Sequence, residues 1–260
     1  MNKVWMITGA GRGLGRAFTE EAVKNGDMVI ATVRKINDVD PLMKNENVLP
    51  VIMDVTKKEE VTTAIDAGIK KFGRIDVLIN NAGFGMSGAF EEVSDEELRT
   101  LMETNFLGVT NVTKAVLPVM RNQGSGMILT VSSQAGAMGF LGSSAYCSSK
   151  YAVVGLSEAL SMELAPFGIQ VASILPGSFR TGFRDSSSMK HAKTSLAAYE
   201  GSAVHAARDF LVANNHKQEG DPEKAAAFLY SIIESGKLPK RILIGKKCCE
   251  DVKAYLEERI

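Results

Sequence analysis

The stretch VWMITGAGRGLG, residues 4–15, passes in one step from an apolar run into a turn made of glycines. An amphipathic segment, RAFTEEAVKNG (16–26), follows and closes on Gly26. Strand, glycine turn and helix form the context in which such glycines have a physical purpose. Without side chains, Gly9, Gly13 and Gly15 permit a tight turn and let backbone N–H groups approach a diphosphate at the positive end of the helix. Arg12 and Leu14 occupy the intervening positions. The spacing is Gly-x-x-x-Gly-x-Gly, with Gly9-x-Gly11 inside it. A glycine turn of purely structural meaning is the alternative at this point.

The next apolar run, residues 28–33, ends in Arg34-Lys35, and no carboxylate follows until Asp38. In dinucleotide sites an acid at this strand tip grips the adenosine ribose, whereas an arginine accommodates a 2′-phosphate. Arg34, with Arg12 in the glycine loop, therefore points to NADP(H) in preference to NAD(H). Further runs at 48–55, 75–83, 126–133, 169–177 and 241–245 alternate with helical patterns, one of them over 95–120 with Ser94 as its N-cap. That alternation predicts an α/β fold, a single doubly wound Rossmann-type domain whose parallel sheet is covered by helices on both faces. Gly9, Arg34, Asp54, Asn81, Ser133 and Pro176 all fall at carboxyl ends of strands, so they should share one rim, where nucleotide and substrate bind.

The segment SSQAGAMGFLGSSAYCSSK (132–150) carries the candidate chemistry. Ser133 precedes Tyr146 by thirteen residues, and Lys150 lies one helical turn beyond the tyrosine, on the same face. A phenol beside an ammonium suits proton transfer to or from a carbonyl or alcohol oxygen. A unit positive charge at about 4 Å, with an effective dielectric of about 20, favours the phenolate by roughly 4 kcal/mol, or about 3 pKa units. Before burial offsets it, that would bring Tyr146 near neutrality. No histidine lies near Ser133, so this hydroxyl is expected to orient and donate and not to act as a nucleophile.

Taken together, Thr8-Gly9-x-x-x-Gly13-x-Gly15, Asp54, Asn80-Asn81-Ala82-Gly83, Asn105, Ser133, Tyr146-x-x-x-Lys150 and Pro176-Gly177 with Thr181 resemble the short-chain dehydrogenase/reductase family, in its compact single-domain branch. The motif-bearing part is similar to the steroid and retinoid dehydrogenases of that family. The resemblance implies a seven-stranded parallel sheet and hydride transfer between nicotinamide and a carbonyl or carbinol carbon. It assigns Tyr146 as acid or base, Ser133 as the holder of the substrate oxygen, Lys150 as ribose ligand and modulator of Tyr146, and Asn105 as support of a water-mediated relay. On the cofactor side it implies Asp54 and Val55 at the adenine, and Asn81, Ala82 and Gly83 at the adenosine ribose. Pro176, Gly177, Phe179 and Thr181 would lie at the nicotinamide. A non-catalytic NADP(H)-binding sensor of the same fold is the alternative function.

Thirty basic residues balance thirty acidic ones, which gives no electrostatic case for nucleic acid or an anionic membrane. No apolar run approaches bilayer length, and Cys147, Cys248 and Cys249 have no metal spacing. A soluble cytoplasmic protein is expected. Beyond Pro176-Gly177 the periodicity fades, and residues 178–219 read as a lid or substrate-binding segment with one or two helices, or else as a divergent surface insertion. His191, His205 and His216 all fall there, at spacings unlike a zinc site, so no metal is expected. Phe84, Met86, Met138, Phe140, Leu141, Phe179 and Phe183 are candidates to line a pocket for a largely apolar ketone, aldehyde or secondary alcohol. An inward Arg184 would instead suit a carboxylate. Cys147, next to Tyr146, is expected to slow turnover when alkylated. The apolar stripe of helix 95–120 is expected to join subunits in a homodimer or homotetramer.

Overall fold

A computed structural model of the chain describes residues 2–35 and 45–258, so Asp38 lies outside the described residues. Nine strands are present among the described residues: β1 (Val4–Thr8), β2 (Met28–Val33), β3 (Val48–Ile52), β4 (Val77–Asn80), β5 (Gly85–Ser87), β6 (Gly126–Val131), β7 (Ile169–Pro176), β8 (Met189–His191) and β9 (Arg241–Ile244). Seven of them form one sheet in the order β3-β2-β1-β4-β6-β7-β9, every neighbouring pair parallel. The fold is the expected doubly wound α/β sheet. Its order reverses between β1 and β4, the place where such sheets open a crevice at their carboxyl ends.

The helices are α1 (Gly13–Lys24), α2 (Lys58–Phe72), α3 (Asp95–Met102), α4 (Gly108–Gln123), α5 (Ser144–Glu163), α6 (Ala203–Ala213), α7 (Pro222–Glu234) and α8 (Lys246–Glu257). Strand alternation sorts the core into two layers. Trp5 and Ile7 of β1 pack with Phe18 and Ala22 of α1 and with Leu229 and Ile233 of α7. Val4 and Met6 turn the other way, onto Val61 and Ile65 of α2 and Val112 and Val116 of α4. Because both faces are covered, the strands read as unbroken apolar runs. At the amino end of the sheet the Trp5 indole stacks on Tyr230 at 5.7 Å, and both side chains donate to Asp27 Oδ2, at 2.8 and 3.2 Å.

Two local differences from the sequence reading bear on the site. The helix expected over 95–120 is two helices, joined by a π-helical turn at Glu103–Leu107 that carries Asn105. Ser94 does cap α3, accepting the Glu97 N–H at 3.2 Å. The second difference is an additional small sheet, in which β5 pairs in parallel with β8 and joins the expected lid to the body. No helix among the described residues is long and apolar enough to cross a membrane.

Candidate active site

The glycine turn is held shut from behind. Thr8 Oγ1, at the end of β1, accepts the N–H groups of Asn81 and Ala82, both at 2.9 Å, which ties the two strands flanking the sheet reversal. The Asn81 amide donates to the carbonyls of Thr8 and Gly9 at 2.9 and 3.1 Å. Asn81, expected at a ribose, thus spends its side-chain N–H groups on the turn. Gly9 and Gly13 have φ of +65° and +57°, conformations that L side chains rarely adopt. A Cβ on Gly15 would collide with the Gly9 carbonyl and the Asn81 amide. No side chain caps α1 and no acid occupies its first turn. Backbone N–H groups at this helix start are therefore presented to an anion.

The other rim residues arrive as the strand ends dictate. Asp54, just past β3, accepts the Thr56 N–H and hydroxyl through Oδ1 at 2.9 and 2.8 Å. Val55 is buried against Gly108 and gives its carbonyl to Asn111 at 3.1 Å. Arg34 is exposed at the tip of β2. Thr181 stands beside Gly13, and the Gly177 N–H donates to Ile244 at the end of β9 at 2.9 Å. The Phe179 ring is buried with the core that α1 and α7 share, against Gly220 and Gly245. Arg12 bonds the hydroxyl of Ser187, a lid residue, at 2.7 Å.

Ser133, Tyr146 and Lys150 meet at the end of β6. Ser133 lies just past the strand and accepts the Ala135 N–H at 3.1 Å, which fixes its hydroxyl at the start of a short 3-10 turn. Helix α5 supplies the other two. Lys150 is buried, donates from Nζ to the Val131 carbonyl at 2.9 Å and stands 5.7 Å from the centre of the Tyr146 ring. Asn105 accepts the Phe84 N–H at 3.0 Å and donates to the Phe84 carbonyl and Ser149 Oγ at 2.9 and 3.1 Å. Gly83 separates it from Lys150, since a Cβ there would stand 3.0 Å from Asn105 Oδ1 and 3.6 Å from Lys150 Nζ.

The expected near-neutral tyrosine is not found in this state. Burial pushes the Tyr146 phenol well above its ordinary value, a hydrogen bond with Ser133 draws it down only in part, and Cys147 adds to the rise. Burial also lowers Lys150 to about 8. Desolvation is the leading cause at both groups, raising the phenol and lowering the ammonium. The phenol is therefore protonated around neutrality, poised as a donor.

Above Tyr146 lies the lid. The Phe183 ring is 6.1 Å from the Tyr146 ring, and the thioether end of Met189 lies directly over Gly85, where a Cβ would push it aside. Phe84 and Met86 pack with Tyr146 and Leu101, while Phe140 and Leu141 are 41% and 58% exposed. Met138 turns instead toward Leu175 and Val252. A groove of about 260 Å³ runs between Ala89, Phe90, Phe140, Leu141, Tyr199 and Val204. Arg184 bonds the Asn214 carbonyl and the Ser178 hydroxyl, both at 3.2 Å, and Arg180 bonds the carbonyls of Gln218 and Glu219. Both guanidiniums are thus used to hold lid backbone. The three histidines separate: His191 Nδ1 is 2.6 Å from Ser87 Oγ, His205 pairs with Glu92 and His216 with Asp185.

The family model for short chain dehydrogenases matches residues 3–192. The chain belongs to that family. It is 40% identical over 253 residues to an oxidoreductase, BOA17, of Botryotinia fuckeliana, covering 96% of this chain and 91% of the relative. It is 36% identical over 243 residues to the 3-ketodihydrosphingosine reductase of Bacteroides thetaiotaomicron, covering 94% and 88%. Among solved structures, a short-chain dehydrogenase from Streptomyces avermitilis superposes with a TM-score of 0.91 at 38% identity, covering 99% of this chain and 94% of that one. Two further short-chain dehydrogenases cover the same shares. That from Burkholderia phymatum holds NAD (TM-score 0.85, 26% identity) and that from Burkholderia cenocepacia holds NADP (0.79, 25%).

Family membership makes the chain an oxidoreductase of the kind that moves hydride at CH–OH or C=O groups. Sequence reasoning missed Glu92, whose buried carboxylate meets the lid, and the pairing of β5 with β8. Ser94-x-x-Glu97 was readable as a capping box; three-residue strands leave no periodic signal.

Proposed function

We propose that the protein is an NADP(H)-dependent reductase of largely apolar ketones or aldehydes. The observation that carries this is the gathering of Ser133, Tyr146 and Lys150 at the end of β6, with the Phe183 ring of the lid 6.1 Å from the Tyr146 ring. When bound, the nicotinamide supplies hydride to the carbonyl carbon. Ser133 holds the substrate oxygen, and the Tyr146 hydroxyl gives it a proton as the carbonyl becomes an alcohol. Lys150, buried and positive, then favours the phenolate left behind. Asn105, positioned by the π-helical turn, supports return of the proton from solvent. The glycine turn and the uncapped start of α1 receive the diphosphate, with Asp54, Val55, Ala82 and Gly83 along the adenosine and Pro176, Gly177 and Thr181 at the nicotinamide. Phe179 contributes there through its backbone.

Arg34 supports a 2′-phosphate, since it is exposed at the tip of β2 where that group would lie. Arg12 would assist on leaving Ser187. The substrate reading is supported by Phe84, Met86, Phe140, Leu141 and Phe183, and by the use of both nearby arginines within the lid. Leu107, 42% exposed between α3 and α4, suits a contact in a homodimer or homotetramer, and three free thiols suit the cytoplasm.

NADPH and NADH binding, followed by nucleotide fluorescence on wild type and Arg34→Ala, tests the reading. NADPH should bind at least about tenfold tighter, and that preference should collapse in the variant. Binding of neither nucleotide would overturn the proposal. Tight binding without oxidation over a broad carbonyl panel would make the chain a sensor.

A further inference from the structure

We propose that Glu92 and Glu97 are positioning residues for substrate binding, each fixing the lid with one carboxylate oxygen while the other closes a helix start. Glu92 ends a 3-10 turn (Phe90–Glu92), and its Oε2 accepts the Ala89 N–H of that turn at 3.0 Å. Its Oε1 reaches out of the turn, to the Leu196 N–H at 2.9 Å and to His205 Nε2 at 2.7 Å. Glu97, on α3, repeats the arrangement. Its Oε2 accepts from the N–H and hydroxyl of Ser94 at 3.0 and 2.9 Å, and its Oε1 accepts the Lys193 N–H at 3.2 Å.

Both glutamates are buried, 2% and 9% exposed. Such carboxylates stay charged only where donors surround them. For Glu92 the Leu196 N–H leads in holding the carboxyl down to about 2, against burial and with His205 and Ala89 assisting. For Glu97 burial works upward, but Ser94 and Lys193 outweigh it. The lid thus supplies part of what keeps these charges stable, and the charges in turn fix where it rests. Between β8 and α6 the lid has no other buried side chain to anchor it. Immediately before the first pin, β8 runs beside β5 with Met189 over Gly85; earlier in the same segment Phe183 faces Tyr146. Loosening either pin frees the wall that confronts the substrate without touching Ser133, Tyr146 or Lys150.

The inference rests on the reading that substrate meets Tyr146 beneath the lid, but its first test does not. Backbone hydrogen exchange should rise by about tenfold or more over residues 188–197 in Glu97→Gln, and stay as in wild type over β1 and β6. With an apolar carbonyl substrate and NADPH, KM should rise about fivefold with kcat within about twofold. Ser94→Ala removes the cap hydroxyl, leaves the Lys193 contact and should move neither. Glu92→Gln should act in the same direction and further, since it disturbs both Leu196 and His205; if it does not fold, Glu97→Gln still decides. Unchanged lid exchange in Glu97→Gln, the same rise in Ser94→Ala, or a rise spreading through the sheet would overturn the assignment. If no carbonyl is turned over, the proposed reaction falls while the exchange result still decides the pins.

Discussion

The sheet and the lid of this protein are held by opposite means. In the sheet, Ile7, Val29, Ile79, Leu129 and Ile174 are buried together in the layer that α1 and α7 cover, and the parallel ladders fix their register. Between residues 180 and 219 the buried residues are Ser188, Met189, His205 and Gln218, of which one is apolar. Here the fastening is done by Glu92, Glu97, Arg180 and Arg184 acting on backbone groups. Apolar burial is non-directional and adds up with area, so the sheet has no single point of failure. Hydrogen bonds are directional and are nearly matched by water once exposed. A wall built from them can be released locally while the sheet stays folded.

The largest way to sharpen this contrast is to separate chemistry from both regions. Tyr146→Phe keeps the ring against Phe183 and removes the proton donor. Turnover should fall by about 10²- to 10⁴-fold, with dinucleotide affinity and melting temperature near wild type. Melting and nucleotide titration alongside kinetics would show it, and an active variant would dismiss the phenol as the donor.

Gly15→Ala attacks the sheet side. Its Cβ has backbone on one side and the Asn81 amide on the other, so the turn must shift. We expect a loss of about 1–3 kcal/mol in urea unfolding together with loss of dinucleotide binding. A stable variant that still binds would show the turn to be looser than described.

Acid should reach the lid pin through its carboxylate. Since the folded pKa of Glu92 is depressed from 4.5 to about 2, its contribution is complete above the higher value and fades as pH falls toward the lower. The melting gap between wild type and Glu92→Gln should therefore be constant from pH 7 to about 5 and narrow below that. A gap that is flat down to pH 3 would break the link. The smallest effect concerns the thiols. Burial raises Cys147 and lifts Cys248 to about 12, while Cys249 is exposed. Brief iodoacetamide treatment, mapped by mass spectrometry, should label Cys249 and leave turnover intact. That reverses the expectation from sequence, in which Cys147 was the sensitive thiol because it adjoins Tyr146.

What could be read in advance follows the same division. Strand alternation, glycine spacing and the Tyr146–Lys150 turn are local patterns, and each survived into the structure because apolar burial rewards the same positions that periodicity marks. Asn81, Thr8 and Glu92 were harder to read, because their partners stand 73, 74 and 113 residues away and a polar side chain carries no period. The π-helical turn at Asn105 was hidden too, since the helical pattern runs on across it. The direction of the Tyr146 shift needed three dimensions as well: spacing supplies the lysine, but only packing reveals that Lys150 is buried and Tyr146 partly so.

The chain has one tryptophan, and its position gives the molecule a built-in optical gauge. Trp5 is 1% exposed at the amino end of the sheet, stacked flat on Tyr230 and bonded to Asp27. The lid and the glycine turn lie toward the opposite, carboxyl end. Its emission should therefore stay blue while the lid breathes and redden only when the sheet itself comes apart. A single fluorophore in a native chain thus distinguishes a door left ajar from a house coming down, with no label attached.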